Sequence, residues 1–305
     1  MSTAKGTVYD LGYKRYVGSR RAAWTRWRVV MRNQIAMGWK TWWRYKLALS
    51  QAVVTAFIAG GFLYFATSKI IRSVGAAGGG AAGDIVLRMG DGVLPMSIEW
   101  FCRAAFVLSL TLGASVVATD TQSGAFTFYF VRSIRPRDYV LGKLAGYGTL
   151  VATLLLAPIL LLCALRLGLS ATTDELVDHL IIVPKALAIG GLAVLVYTAI
   201  PLAMSALVNN RRYALALWAS YYLIGGSIAA AIGTTNGSVI GSLDIQGALQ
   251  AVTYELFDLR ILRGRANNLS LETAVIGILV QTAIAIAITW YQVSRDQKTG
   301  VGGSS

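Results

Sequence analysis

Six long apolar stretches constrain the fold of this chain more than any other feature of its sequence. A bilayer core of about 30 Å requires about 20 apolar residues at the helical rise of about 1.5 Å per residue. The second stretch is short for this purpose, so we expect it to begin nearer Met96. The sequence therefore predicts an all-α, polytopic membrane protein with six transmembrane helices. The stretches cover residues 47–66, 104–119, 140–165, 180–208, 213–232 and 273–291.

The charges indicate how these helices are oriented. Charged residues make up only 14% of the chain, and 28 of them are basic against 14 acidic. Such an excess alone fits nucleic acid, an anionic lipid surface or an acidic partner. Most basic residues lie before the first stretch, after the second, between the fourth and fifth, and after the sixth. Cytoplasmic loops carry this excess, so we expect a multi-pass protein of the inner (plasma) membrane with both termini cytoplasmic and no nucleic-acid partner.

The same pattern divides the chain into three parts. We expect a basic cytoplasmic N-terminus over residues 1–46, a transmembrane domain over 47–293 and a cytoplasmic tail over 294–305. Within the outer segment 233–272, apolar residues such as Leu249 recur on one helical face, which predicts a short amphipathic helix. This helix would lie at the outer surface, able to dip into the bilayer. Its role is open between an outer gate, a docking surface and a simple cap on the bundle.

The N-terminal region predicts an amphipathic helix between Arg20 and Lys46. Its apolar side chains recur at three- and four-residue steps and fall on one helical face. Tryptophan prefers the lipid headgroup zone, and lysine and arginine attract anionic lipid. We therefore expect an interfacial helix that positions the first transmembrane helix, with a soluble helix packed on a partner as the alternative. The predicted membrane-interface residues are Trp24, Trp27, Trp39, Trp42 and Trp43.

The connection between the second and third stretches carries the most informative pattern. Asp120 and Ser123 are suited to cap a short helix that holds Gly124 in its first turn. An aromatic run follows that is too apolar to leave in water, so we expect it to be buried against another protein or the membrane face. Tyr139 restarts a transmembrane helix. The aromatic run is Phe126, Phe128, Tyr129 and Phe130, and the arginines around it are Arg132, Arg135 and Arg137.

This connection resembles the ABC-2 family of transporter permeases. That family has an acidic residue at the end of its second helix, an apolar helix led by glycine and threonine, an arginine-proline turn, and Leu-Gly-Lys at the start of its third helix. The chain departs from the family at Asp120, where glutamate is usual, at Ala125, where threonine is usual, and at Ser133, where the usual proline stands instead at Pro136. The matching residues are Asp120, Gly124, Phe126, Arg132, Ile134, Asp138, Leu141, Gly142 and Lys143.

The resemblance implies a role for the chain. In the family this connection is a coupling helix seated in a cleft of a separate ATPase subunit, and here it would cover residues 120–139. Two copies of the chain would work with two ATPase subunits as an exporter. The sequence has no GxxxxGK[ST] motif, so we expect no enzyme activity and no cofactor in this chain, with ATP and magnesium on the partner. The implied contacts with the ATPase subunit are Asp120, Gly124, Phe126, Phe128, Tyr129, Phe130, Arg132 and Arg135.

Two other functions stay open for a polytopic membrane protein. An ion-coupled secondary transporter usually needs ionisable groups within the membrane, and we expect Arg103 and Lys185 near helix ends. An intramembrane enzyme would need a catalytic cluster, and the polar group at 174–179 lacks a second site element and is better suited to start a helix. Cys102 and Cys163 lie in apolar stretches, so we expect them to be packing residues and expect no metal site.

Overall fold

The computed structural model describes residues 23–40, 42–68, 73, 81–126, 129, 134–170, 172–236, 239–259 and 269–299. Within these ranges six helical segments are long and apolar enough to cross a membrane, which confirms the predicted all-α fold of a multi-pass membrane protein. These spans are Trp43–Ala66, Gly92–Gln122, Pro136–Gly168, Thr173–Leu207, Arg211–Gly233 and Leu271–Lys298.

The described residues contain eleven α-helices, numbered α1 to α11, of which nine make up the six spans. A short helix precedes the first span, and another lies between the fifth and sixth spans. A π-helical turn at Tyr221–Gly225 joins the two helices of the fifth span. The helices are α1 (Trp27–Lys40), α2 (Trp42–Ala66), α3 (Ala81–Thr111), α4 (Val116–Gln122), α5 (Pro136–Gly168), α6 (Thr173–Leu180), α7 (Ile182–Ala206), α8 (Arg211–Ser220), α9 (Gly226–Asn236), α10 (Ile245–Leu256) and α11 (Leu271–Thr299).

Local sequence signals set where several helices begin. In lipid every backbone N–H and C=O must be paired within its own segment, so apolar runs fold as helices. Pro136 stands at the start of α5, where a missing N–H costs nothing. The backbone N–H of Arg135 donates to the carboxylate of Asp138 at 3.3 Å. At α6 the Thr172 hydroxyl accepts from the N–H of Glu175 at 3.3 Å, so the polar group at 174–179 forms a helix start.

Helix α5 is central to the bundle and packs against α1, α2, α3, α7 and α11. Its surface toward α1 carries two glycines at close approach. A Cβ at Gly142 would lie 2.7 Å from the carbonyl oxygen of Trp27, and a Cβ at Gly146 would lie 2.8 Å from that of Met31. Residues without a side chain allow backbones to come this close. Helix α1 is therefore held against the first turns of α5, next to the connection over 120–139.

Most described residues of the predicted interfacial helix belong to α1 and to the first turns of α2. Helix α1 ends at Lys40, and Trp43 already belongs to α2. The tryptophan stripe is shared between two environments, because Trp27 is half-buried whereas Trp24 and Trp39 are 67% and 53% exposed. The glycines of α5 explain this division, since they draw one side of α1 onto the bundle. The buried residues of α1 are Val30, Gln34 and Gly38, and the side chain of Trp42 lies outside the described part of the chain.

The second span is broken where the sequence predicts one continuous helix. The 3₁₀ turn Gly113–Ser115 separates α3 from α4. The N–H groups of residues 117 and 118 donate to the hydroxyl of Ser205 on α7, at 3.0 and 2.9 Å. The guanidinium of Arg44 on α2 donates to the carbonyl oxygen of Thr111 at 3.3 Å. Side chains from other helices thus cap both sides of the break.

Helix α10 lies within the bundle rather than on its outer surface. It packs against α3, α7, α9 and α11, and no residue from Ile245 to Leu256 is exposed. The expected apolar face, including Leu249, is buried as predicted. The polar face is covered too, because Gln250 donates to the carboxylate of Glu99 on α3 at 2.9 Å. A distant polar partner therefore allows both faces of an amphipathic helix to be covered.

Candidate functional site

The described residues of the connection meet where the end of α4 faces the start of α5. The carboxylate of Asp120 lies 2.7 Å from the ammonium of Lys143. The hydroxyl of Tyr139 donates to the same carboxylate oxygen at 2.8 Å. Lys143 also donates to the side-chain oxygen of Gln34 at 3.0 Å. We call these four residues the junction, because they join α1, α4 and α5.

The junction is buried although it contains two charges. Asp120 is 8% exposed and Lys143 only 2%. Removing two charges from water costs several kcal/mol for each, which their attraction offsets only when further polar contacts satisfy both groups. The carboxylate has the Tyr139 hydroxyl, and the ammonium has Gln34 and the Tyr139 ring, whose centroid lies 5.5 Å from Nζ. Loss of either charged partner would leave the other charge buried and poorly compensated.

The connection leaves α4 through a left-handed glycine. The backbone N–H of Ser123 donates to the carbonyl of Thr119, and its hydroxyl donates to that of Asp120. Gly124 follows with a φ of 67°, a conformation that residues with a Cβ rarely adopt. The prediction that Asp120 and Ser123 cap a following helix is wrong, because both belong to the end of α4. The Asp120 side chain is already engaged by Tyr139 and Lys143.

Phe126 and Tyr129 fasten the connection to its own bundle. Phe126 is 1% exposed, and its ring meets that of Tyr139 edge-on at 5.2 Å between centroids. Tyr129 lies 5.5 Å from the Tyr139 ring and hydrogen-bonds to Asn33 of α1. Burial and then the nearby Asp120 carboxylate raise the pKa of Tyr129. The sequence led us to expect another protein or the membrane as the cover for these rings, but for Phe126 the cover is the chain itself.

The other predicted contact residues are less constrained by the structure. Arg135 is exposed at the end of the connection, immediately before α5. Phe128, Phe130 and Arg132 lie outside the described residues. Contact of any of these residues with an ATPase subunit stays a prediction. The sequence analysis did not predict a role for Gln34. The signal that could have found it is its position one turn after Val30, which puts a polar residue on the buried face of α1.

Comparison of the chain with protein-family models and with curated proteins finds no match. The resemblance to ABC-2 permeases therefore rests on the residues of the chain itself. Across the described ranges, no three histidine, cysteine or carboxylate side chains come together as a metal site would require. The junction is a buried polar network that holds α1, α4 and α5 together beside the connection.

Proposed function

We propose that this chain is the membrane-spanning subunit of an ABC-2 type exporter, driven by a separate ATPase subunit. The observation that carries the proposal is the contact between Asp120 and Lys143. Asp120 stands at the start of the connection and Lys143 just beyond its end, in α5, at positions that match the family's acidic residue and its Leu-Gly-Lys. Their buried ion pair gives both motif positions a shared physical purpose, which is to hold the two ends of the connection together.

The connection would be the part of the chain that the ATPase subunit moves. A displacement of the connection would reach α4 through Asp120, α5 through Tyr139 and Lys143, and α1 through Gln34. Buried polar networks resist deformation, so these helices would move together rather than independently. For ATP to drive this change, the ATPase subunits must bind it with different affinity in the two states of the bundle.

The proposed assembly contains two copies of the chain and two ATPase subunits. Residues 120–139 and both termini would face the cytoplasm, and the ATPase subunits would hold ATP and magnesium. Exposed arginines beside the junction, such as Arg135 and Arg137, suit an acidic surface on the partner. The chain would then be the moved part of the machine, without catalytic residues of its own.

Co-purification with an ABC ATPase subunit of the same organism tests the proposal. Reversal of the charges in Arg135→Glu/Arg137→Glu should weaken the complex on the order of tenfold, since attraction to an acidic cleft becomes repulsion. The matched control is Arg212→Glu, an exposed charge in the first turn of α8 on the same predicted side, which should leave the complex intact. Failure of the unaltered pair to associate, or equal recovery with and without the double reversal, would refute the proposal.

An ion-coupled secondary transporter is the second candidate, and one observation favours it. The span Gly92–Gln122 contains both Glu99 and Arg103, so this part of the membrane domain does hold ionisable groups. Transport that ionophores abolish and that ATP does not affect would select this alternative.

A further inference from the structure

Arg103 lies near the middle of the second span, whereas the sequence led us to expect it near a helix end. Helix α3 continues without interruption to Thr111, whose carbonyl oxygen contacts Arg44. The span that contains Arg103 runs from Gly92 to Gln122, so Arg103 lies only four residues from its midpoint. Four helical residues rise about 6 Å, which places Arg103 near the centre of a hydrocarbon core of about 30 Å.

Trp100 gives the same depth independently. It lines a largely apolar groove of about 720 Å³ between α2 and α3, whose lining runs from Thr55 to Ala66 on α2 and from Val93 to Trp100 on α3. Trp100 is the lining residue of α3 nearest to Arg103, and Thr55 at the inner end of the α2 lining lies in the middle of the span Trp43–Ala66. The guanidinium of Arg103 lies 4.3 Å from the centroid of the Trp100 ring, so both side chains stand at this level.

Polar groups adjoin Arg103 on the other side of α3. Arg103 is exposed on the surface of the single chain and lines a small pocket with Glu99, Tyr222 and Gln250. The Glu99 carboxylate is engaged by Gln250 and by Tyr254. Within the described part of the chain, the contact of the Arg103 guanidinium is the ring of Trp100, with no hydrogen bond or ion pair to a protein group.

Lipid tails are an unfavourable neighbour for this surface. A charged side chain at the bilayer centre is costly, and intramembrane ionisable residues almost always face the bundle interior or a water-filled cavity. Arg103 is too deep to reach the nearer edge easily, and polar side chains, including Glu99 and Gln250, line the small pocket beside it. The surface around Arg103 therefore faces water or another polar group when the protein is in the membrane.

We propose that this surface of α3 lines a water-filled transport pathway, where Arg103 binds an anionic group, a carboxylate or a phosphate, of the transported molecule. The planar guanidinium suits both groups because it donates two parallel hydrogen bonds. Trp100 holds the guanidinium and offers an apolar wall beside it. Glu99, kept in place by Gln250, disfavours a second anion. The inference rests on the proposed transporter function but not on ATP as its energy source.

Cysteine reactivity in membrane vesicles tests whether this surface meets water. In a Cys102→Ala background, Met96→Cys places a thiol two turns from Arg103 on the same face of α3. It should react with the anionic sulfonatoethyl and the cationic trimethylammonioethyl methanethiosulfonates. Phe57→Cys, on the most exposed side chain of α2, is the lipid-facing control and should stay unreactive. Cys163 is buried and reports unfolding, since its thiol reacts only when the chain opens.

The charge of Arg103 should control the selectivity of this reaction. Two charges about 10 Å apart in water change each rate about twofold, so Arg103→Gln should lower the anionic-to-cationic rate ratio about fourfold. Arg103→Lys should keep the ratio, and Lys298→Gln, which removes a distant charge, should not alter it. Inorganic phosphate and acetate are added separately, so that protection by each class of anion is measured by itself. Protection should slow the anionic reagent when Arg103 is present and should be absent in Arg103→Gln.

Three results would overturn the inference. Met96→Cys as unreactive as Phe57→Cys would mean that lipid or a second copy of the chain covers this surface. A rate ratio insensitive to Arg103→Gln, or no protection by either anion, would remove the anion site. These rates need no ATPase subunit, so they separate this inference from the proposed function. An intact ATPase complex with an unreactive Met96→Cys would overturn the pathway alone, and the reverse pattern would overturn the ABC assignment alone.

Discussion

The buried ion pair of the junction makes a sharp prediction about stability. Asp120→Asn removes a charge at nearly constant size, and the asparagine oxygen is still able to accept from the Tyr139 hydroxyl. The change leaves the Lys143 ammonium, 2% exposed, with the Gln34 oxygen and the face of the Tyr139 ring. Breaking a buried pair in this way should lower the free energy of unfolding by about 3 to 5 kcal/mol. Lys143→Met should cost a similar amount, because it strands the Asp120 carboxylate.

The double variant shows how much of the loss in stability comes from the ion pair and how much from each residue alone. Independent losses would add to about 6 to 10 kcal/mol. The structure predicts instead that Asp120→Asn/Lys143→Met is no less stable than either single variant, because no charge is then left buried. This non-additivity is the signature of a direct ion pair rather than of two separate packing defects.

Unfolding of the purified chain in mixed micelles by increasing detergent denaturant measures these differences. Exposure of the buried Cys163 thiol provides a probe far from the junction. Asp178→Asn, which removes an exposed carboxylate from α6, is the control and should stay within about 0.5 kcal/mol of the unaltered chain. Single variants that each cost under about 1 kcal/mol, or losses that add in the double variant, would refute the reasoning.

Two further variants test how α1 and α4 are held. Gly142→Ala should lower the free energy of unfolding by about 1 to 3 kcal/mol, because the added Cβ would press on the Trp27 backbone. The control Gly61→Ala has open space around its Cβ and should not change the stability. Equal thermal melting temperatures of the two variants would contradict this prediction. Ser205→Ala should leave two buried N–H groups unsatisfied, cost about 1 to 3 kcal/mol and speed hydrogen exchange in α4. The control Ser227→Ala removes a hydroxyl that bonds only within its own helix, and equal exchange in both variants would count against the cap.

Much of the fold follows from local sequence. The six spans could be predicted because apolar length alone decides which segments cross a bilayer. The start of α5, which we predicted at Tyr139, lies at Pro136, because Pro136 and Asp138 favour a helix start there. The motif includes both Asp120 and Lys143, but the sequence did not predict their contact. The structure supplies the distance, the burial and the partners.

The remainder depends on partners distant in sequence. The break in the second span is stable because Arg44 and Ser205 cap it from other helices, and neither residue carries a local signal for that role. The polar side of α10 is covered because Glu99 lies on α3 to receive Gln250. Periodicity identifies the apolar side of a helix, but it does not show which element will cover the polar side. The same limit explains why Gln34 was missed.

Hydrogen–deuterium exchange on a complex of this chain with the proposed ATPase subunit tests the central claim most directly. The claim is that ATP acts on the membrane domain through the connection over residues 120–139. Addition of ATP should change exchange in the connection, in the first turns of α5 and in α1, because the junction joins them. The same addition to the chain alone should change nothing. An ATP response of the complex that leaves these segments unchanged and appears elsewhere in the chain would contradict the account.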